Sequence, residues 1–375
     1  MTLVPPSLRR PPDYERAKSR RQKQRAAGLH PDYWYPVLWD RELKAGEARE
    51  VAFWKRSIVV YRGSDGVVRA LENRCAHRQL KLSKGNVEGC HLTCSYHGWT
   101  YDETGRCVGI SHSLFGHAMP NVKIQAFPVK VAYGIIFVFP GRVEAAAERD
   151  VPSIPEWSAE SGWGKISIDF TWRAHHSIII DNTCDFTHAY LHRNRRPFTY
   201  AELRHLETVG DAVNLEYDTK VGQGRLQKLF VHGKTANTNA MRLGYQYPYQ
   251  WSSTDEKIKH WCFVLPIDER TTRAFFLFYF HPALVKLPFV PFRLPDWGVA
   301  ALMPIAKHLI VRPLLDEDRV AVEAEQEGYD AHFDRPVPDL NPVIHAFQAL
   351  TLKKWEEHLS SHESVPPLDE STSGT

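Results

Sequence analysis

The chain has 375 residues, 43% of them hydrophobic, which is enough for two domains with separate cores. Lys+Arg 47 against Asp+Glu 44 leaves a net charge of only +3, so no general attraction to nucleic acid is implied. Cations crowd the start: Arg9, Arg10, Arg16, Lys18, Arg20, Arg21, Lys23 and Arg25. No apolar run follows them, which argues against a secretory signal, and Asp13 and Glu15 argue against an organelle transit peptide. The extension 1–30 reads as a solvated helix or tail, with docking to a partner or an anionic membrane as the functional alternative.

Tyr33-Trp34-Tyr35-Pro36-Val37 opens the folded part. Alternating runs at 57–62 and 67–71, joined by Gly63-Ser64-Asp65-Gly66, predict a β-hairpin. Cys75-x-His77 follows, then sixteen residues, then Cys94-x-x-His97. Each pair supplies one thiolate and one imidazole, which suits a [2Fe–2S] centre with unlike irons: Cys75 and Cys94 on one, His77 and His97 on the other. A closed zinc site uses the same four residue types, but finger-type sites pair cysteine with cysteine and histidine with histidine. Turn 101–106 and the apolar strand 133–139 complete a small β-rich domain over 31–142, and polar residues 144–150 read as its exit linker. Cys90, Cys107, Cys184 and Cys262 are dispersed and read as reduced thiols of a cytoplasmic protein, with a Cys90–Cys107 bridge as the lesser reading.

The second half alternates at 165–172 and 213–217 and carries a dense aromatic run at 274–280 after the turn Asp268-Glu269-Arg270. Helical patterns lie at 178–192, 316–327 and 342–358. Strands in runs with helices set apart predict an α+β domain over 143–360. On a helix over 178–192, Asp185, His188 and His192 share one face, with Asn182 at its edge. Two histidines and a distant carboxylate would form the facial triad of a mononuclear non-haem iron(II) site. Asp318, in Asp316-Glu317-Asp318-x4-Glu323-x2-Gln326, is the expected third ligand, with Asp316 and Glu317 as fallbacks. Asp185 is better placed to accept a hydrogen bond from a metal-bound histidine. Four prolines and several charges interrupt 284–315 too often for a spanning helix, leaving a cavity cover or shallow membrane contact. Residues 361–375 are polar and read as a disordered tail.

Taken together, Cys75, His77, Cys94 and His97, then Asn182-x2-Asp185-x2-His188-x3-His192, then Asp318, resemble the α subunit of a Rieske non-haem iron oxygenase over about 31–358. The resemblance implies a Rieske domain followed by a helix-grip catalytic domain, an antiparallel sheet around a long helix. It also implies head-to-tail homotrimers in which Asp185 bridges the cluster of one subunit and the iron of the next. Gln79 stands where the family often has glycine, Ser95 where it usually has proline, and His-x3-His is one residue shorter than in many members. Gly222-Gln223-Gly224 is no nucleotide fingerprint, so electrons must come from a separate NAD(P)H-dependent reductase, directly or through a ferredoxin. The expected activity is hydroxylation, demethylation, desaturation or oxidative cyclisation of a small apolar organic substrate by dioxygen, the pocket drawing on residues from Leu229 and Phe230 onward. The rival is a Rieske electron-transfer protein with an appended ligand-binding domain and no mononuclear iron.

Overall fold

In the computed structural model the described residues are 10–110, 119, 121–193, 195, 198–221, 239–284 and 295–363. The extreme N-terminus, Gly222–Gly224, Leu229–Phe230 and the tail beyond 363 lie outside them.

Three small antiparallel sheets build the first half. Ala48–Phe53, Arg56–Arg62, Val68–Glu72 and Ala126–Phe127 form one, with the expected hairpin between its second and third strands. Asn86–Glu88, His91–Thr93, Thr100–Tyr101 and Cys107–Gly109 form another, which carries the second Cys-His loop. The third joins Tyr35–Trp39, Ile135–Val138 and Val129–Ala132. All six cysteines are free, so Cys90 and Cys107 are not bridged.

The second half is one seven-stranded antiparallel sheet. Its strand order is Gly164–Trp172, Thr271–Phe280, Ile258–Asp268, Tyr249–Thr254, Asn239–Gln246, Ala212–Val221 and Phe198–Val209. In Ala212–Val221, Val213, Leu215, Tyr217 and Thr219 are buried and their neighbours are not, the period of a strand with one covered face. Helices cover that face: Ile178–Ile180, Val322, Val343 and Phe347 share a core with Leu215, Leu243, Tyr245, Cys262 and Phe276. This is the α+β helix-grip arrangement. The same core includes Tyr35, Val37, Val51 and Phe53 of the first half, and Trp54 and Lys55 N–H groups donate to Pro266 and Ile267 carbonyls at 2.7 Å each. The halves are therefore packed against each other.

The helices are α1 (Arg20–Gln24), α2 (His176–Cys184), α3 (Asp296–Ala306), α4 (Arg312–His332) and α5 (Pro342–Glu363). Two differ from expectation. The helix read over 178–192 stops at Cys184, because the Asp185 carboxylate accepts from Thr187 N–H (2.7 Å) and Thr187 Oγ1 (2.5 Å). A short polar side chain that binds the backbone ahead of it competes with helix continuation. Conversely, α3 and α4 join through a π-turn, Lys307–Val311, into one continuous helix from Asp296 to His332. Pro295 sits at its N-cap, and Pro304 is carried inside it, one turn before the π segment that widens the backbone.

The basic N-terminal segment is solvated only in part: Arg10, Arg16, Lys18 and Arg20 are exposed, but the segment as a whole packs on the fold. Tyr14 donates to Glu356 (2.8 Å), Gln22 to the Phe333 carbonyl (3.2 Å) and Arg21 to the His332 and Arg335 carbonyls. Arg25 is buried, pairing with Asp181 on α2 (3.0 Å) and Glu325 on α4 (2.8 Å). Burial still raises Asp181 to about 6 against the pull of Arg25. The cations thus strap α2, α4 and α5 together.

Two buried histidines tie stability to pH. Burial lowers His176 and His260 to about 4 each. Between that value and the unfolded value of about 6.5, the unfolded chain binds more protons, so stability is present above pH 6.5 and is lost as pH falls toward 4. Urea unfolding midpoints should drop steeply over that window, and His260→Leu should flatten its share of the slope. An unchanged slope in that variant would remove His260 from the account.

Candidate metal centres

The two Cys-His loops are near copies. Gln79 N–H donates to the Cys75 carbonyl and Gly98 N–H to the Cys94 carbonyl, both at 3.0 Å. Cys75 N–H donates to Leu80 (2.9 Å) and Cys94 N–H to Trp99 (2.8 Å), closing each loop. Both turns need a left-handed residue, Gln79 at φ 64° and Gly98 at φ 67°. Glycine takes that conformation freely, whereas glutamine does so at a cost of about 1–2 kcal/mol. Here Arg74 donates to Gln79 Oε1 at 2.8 Å and holds it in place.

Cys75 and Cys94 are 2% and 3% exposed, whereas His77 is exposed. The imidazoles of His77 and His97 lie 4.6 Å apart, His77 stacks on Trp99 at 4.8 Å, and Tyr96 leans on His97 at 3.8 Å. Burial, then the neighbouring Cys75 sulfur, pushes the Cys94 thiol up. Paired sulfurs inside and paired imidazoles outside fit a cluster with an inner thiolate iron and an outer imidazole iron. Tyr101, unremarked in the sequence, places its hydroxyl 3.3 Å from Cys75 Sγ while accepting from Ala76 N–H at 2.9 Å.

The second constellation is assembled across the fold. After α2 ends, a single 3-10 turn, His188–Tyr190, aims His188 and then His192 at α4. Asp318 Oδ1 lies 3.6 Å from His188 Nε2 and 3.2 Å from His192 Nε2. One donor atom from each of the three falls within 4.8 Å of the others, a spacing that fits a single ion. His192 and Asp318 are 1% and 7% exposed. Asn182 donates to Asp318 Oδ1 over 3.4 Å.

Asp316 and Glu317 stand apart from this point. Asp316 pairs with Arg319 at 3.4 Å. Glu317 accepts from His192 Nδ1 at 2.8 Å and is held by Arg195 at 3.0 Å. That bond fixes the tautomer of His192 and leaves its Nε2 lone pair facing His188 and Asp318. Burial disfavours protonated His192, but Asp318 and Glu317 outweigh it and raise its pKa; burial lowers that of His188. Asp185 Oδ1 accepts from Thr187, and no hydrogen bond joins its carboxylate to a histidine ring among the described residues. His188 Nδ1 is buried without a partner. Sequence reading missed Glu317 in this role, although adjacent helix residues diverge by about 100° and cannot both face one ion.

The surroundings are apolar. Phe198 lies 5.4 Å from the His188 ring and 5.8 Å from that of His192, and Phe186 and Tyr217 pack behind it.

Residues 33–115 match the Rieske [2Fe-2S] domain, and 172–360 match the vanillate O-demethylase oxygenase C-terminal domain. The chain is 41% identical to the 4beta-methylsterol monooxygenase of Methylococcus capsulatus over 350 residues, covering 93% of this chain and 94% of that protein. It is 31% identical to the oxygenase component of dicamba O-demethylase from Stenotrophomonas maltophilia over 161 residues, 41% of this chain and 45% of that one. The crystal structure of dicamba monooxygenase with non-heme iron and dicamba superposes with a TM-score of 0.63 at 19% identity, covering 89% of this chain and all of that one.

The chain belongs to the Rieske non-haem iron oxygenases. It is an oxygen-dependent enzyme with one [2Fe–2S] cluster and one mononuclear iron(II) that oxidises an organic substrate, and relatives such as dicamba O-demethylase are named as oxygenase components of larger systems. The electron-transfer reading without mononuclear iron is set aside.

Hydrogen bonds to cluster sulfurs stabilise the reduced, more negative state. Tyr101→Phe should therefore lower the reduction potential while leaving the cluster in place, read by EPR-monitored redox titration. An unshifted potential would show that the hydroxyl is bound elsewhere.

Proposed function

We propose that this enzyme oxidises a methyl group on a 4-methylsterol or a similarly shaped polycyclic lipid. The reading is carried by the convergence of His188, His192 and Asp318 beside the apolar wall of Phe198, Phe186 and Tyr217. The whole-length likeness to a methylsterol monooxygenase supports the substrate class.

In this reading Cys75, Cys94, His77 and His97 hold the cluster, and His188, His192 and Asp318 hold the iron. Iron held there would supply coordination positions for dioxygen, for a reaction that puts one oxygen atom into a C–H bond and releases the other as water with two supplied electrons and two protons. Glu317 orients His192, Asn182 steadies Asp318, and Phe198 keeps bulk water from the open side.

The assembly would be a head-to-tail homotrimer. His77 and Tyr96 at one surface and Tyr190, 77% exposed beside the iron loop, offer aromatic faces for such a contact. Asp185 would link the centres, supported by its place before His188, whose Nδ1 lacks a partner. A reductase, with or without a ferredoxin, would dock at the cluster surface. Free thiols throughout suit a cytoplasmic protein, and a lipid substrate suits one that meets the membrane from that side.

Iron analysis separates the roles. The holoenzyme should carry about three irons per chain, and His188→Ala or Asp318→Ala about two with an unchanged cluster EPR signal. Glu317→Gln should keep the third iron but bind it about 10–100-fold more weakly. Loss of the third iron in Asp316→Ala instead of Asp318→Ala would reassign the ligand. With a surrogate reductase, mass spectrometry should find an oxygenated 4-methylsterol; turnover confined to small aromatic substrates would overturn the substrate class.

Asp185→Asn should retain both metals and fold, because size and one acceptor oxygen remain. Single-turnover oxidation of the pre-reduced cluster should nevertheless collapse. Wild-type rates in a metal-replete variant would place the electron path elsewhere.

A further inference from the structure

The helix that carries Asp318 begins about six turns earlier, at Asp296, on the outside of the molecule. One face of α3 is anchored: Val299 and Met303 close over Gly164, where a Cβ would come within 2.7 Å of the Met303 sulfur. Lys307 Nζ, at the π-turn, donates to the Ser167 carbonyl of the same edge strand at 2.7 Å. The opposite face meets no element among the described residues. Trp297 is 76% exposed, Ile305 48% and Leu309 50%, and Ala301 and Pro304 between them are exposed as well. Scattered surface apolar residues need no explanation, but a contiguous stripe along several helical turns does.

Charge along the stripe is one-sided. From Trp297 to Leu315 there is no Asp or Glu, while the exposed His308 and Arg312 lie at its inner end. Arg41, stacked on Trp39 at 4.7 Å, and Arg312, 6.0 Å from the Phe170 ring, lie near Lys307, and the carboxylate beside them, Asp169, is paired with Arg273 at 2.8 Å. An apolar stripe headed by a tryptophan and bordered by arginines has the composition of a helix that lies in a bilayer interface. By length and composition the helix Asp296–His332 could also cross a membrane, but it carries Asp318 and the anchored Val299, Met303 and Lys307 within the fold, which excludes crossing.

We propose that the outer face of Trp297–Arg312 docks the enzyme onto an anionic lipid surface, with the aromatic and aliphatic side chains in the acyl boundary and Arg41 and Arg312 on the phosphates. The inference rests on the methylsterol reading, since such a substrate partitions into bilayers. It adds the route: the docked helix runs on, without a break, to the residue that closes the iron triad.

The test is flotation of the iron-replete holoenzyme with vesicles of phosphatidylcholine plus phosphatidylglycerol, and of phosphatidylcholine alone. The protein should float with the anionic vesicles, less so at high salt, and remain below with the neutral ones. Leu309→Glu and Arg312→Glu should each weaken anionic-vesicle binding about tenfold or more. Their iron content and turnover of detergent-dispersed substrate should match wild type, which separates failure of docking from failure of the enzymatic reading. Wild-type protein that stays unbound with both vesicle types would overturn the proposal. So would a Leu309→Glu protein whose oligomer dissociates, because a second copy of the chain would then be what covers the stripe.

Discussion

The carboxylate of Asp318 meets two histidines from a turn well over a hundred residues earlier, and much of the catalytic half serves that meeting. Bare, the site would be costly, because a buried carboxylate and two buried imidazoles lose hydration without full compensation. The fold offsets this by satisfying each group in a different direction. Asn182 approaches Asp318 from α2, Glu317 takes the outer nitrogen of His192, and Arg195 neutralises Glu317. Apart from His188 Nδ1, which has no partner, what remains unsatisfied points inward, toward the place where an ion fits. Glu317 and Asp318 achieve this as sequence neighbours because a helix turns each away from the other.

Rigid placement of α2 and α4 makes such a site tenable. The sheet supplies one wall, through a core that runs from Ile178–Ile180 to Leu243 and Phe276. The N-terminal strap supplies another clamp, since Arg25 reaches both helices from a segment distant in sequence. Breaking one partner of a buried pair typically costs about 3–5 kcal/mol, so this strap belongs to the catalytic architecture even though it never approaches the metal. The cluster loops solve a different problem. They hold two thiols inside and two rings outside them chiefly with short backbone bonds, helped by Arg74 on Gln79 and Tyr101 on Ala76.

Legibility in the sequence followed the range of the interactions. The cluster residues were readable because cysteine and histidine lie a few residues apart in loops whose geometry is local. His188 and His192 were readable as a pair, but the helix assumed to carry them ends at Cys184, because Asp185 binds Thr187 in preference to continuing the turn. Asp318 was readable from its place in an acidic helix start, whereas Glu317 was not, since its role depends on where His192 arrives. Solvation of the basic segment holds for Arg16, Lys18 and Arg20, but the docking of Arg25 was not readable, because nothing local shows that Asp181 and Glu325 are waiting. Pro304 suggested an interruption where the chain instead absorbs it ahead of a π-turn. The strands Phe198–Val209 and Tyr249–Thr254 were missed because their partners, not their alternation, define them.

The central claim is that two separate iron centres occupy these two sets of side chains. A crystal of the aerobically purified protein, measured on both sides of the iron absorption edge, addresses it without turnover or mutation. The account predicts anomalous density for a pair of irons enclosed by Cys75, Cys94, His77 and His97, and a single iron bounded by His188, His192 and Asp318 with Glu317 on the far side of His192. Density at the cluster alone in iron-replete protein, or a third iron held by Glu317 in place of Asp318, would contradict it.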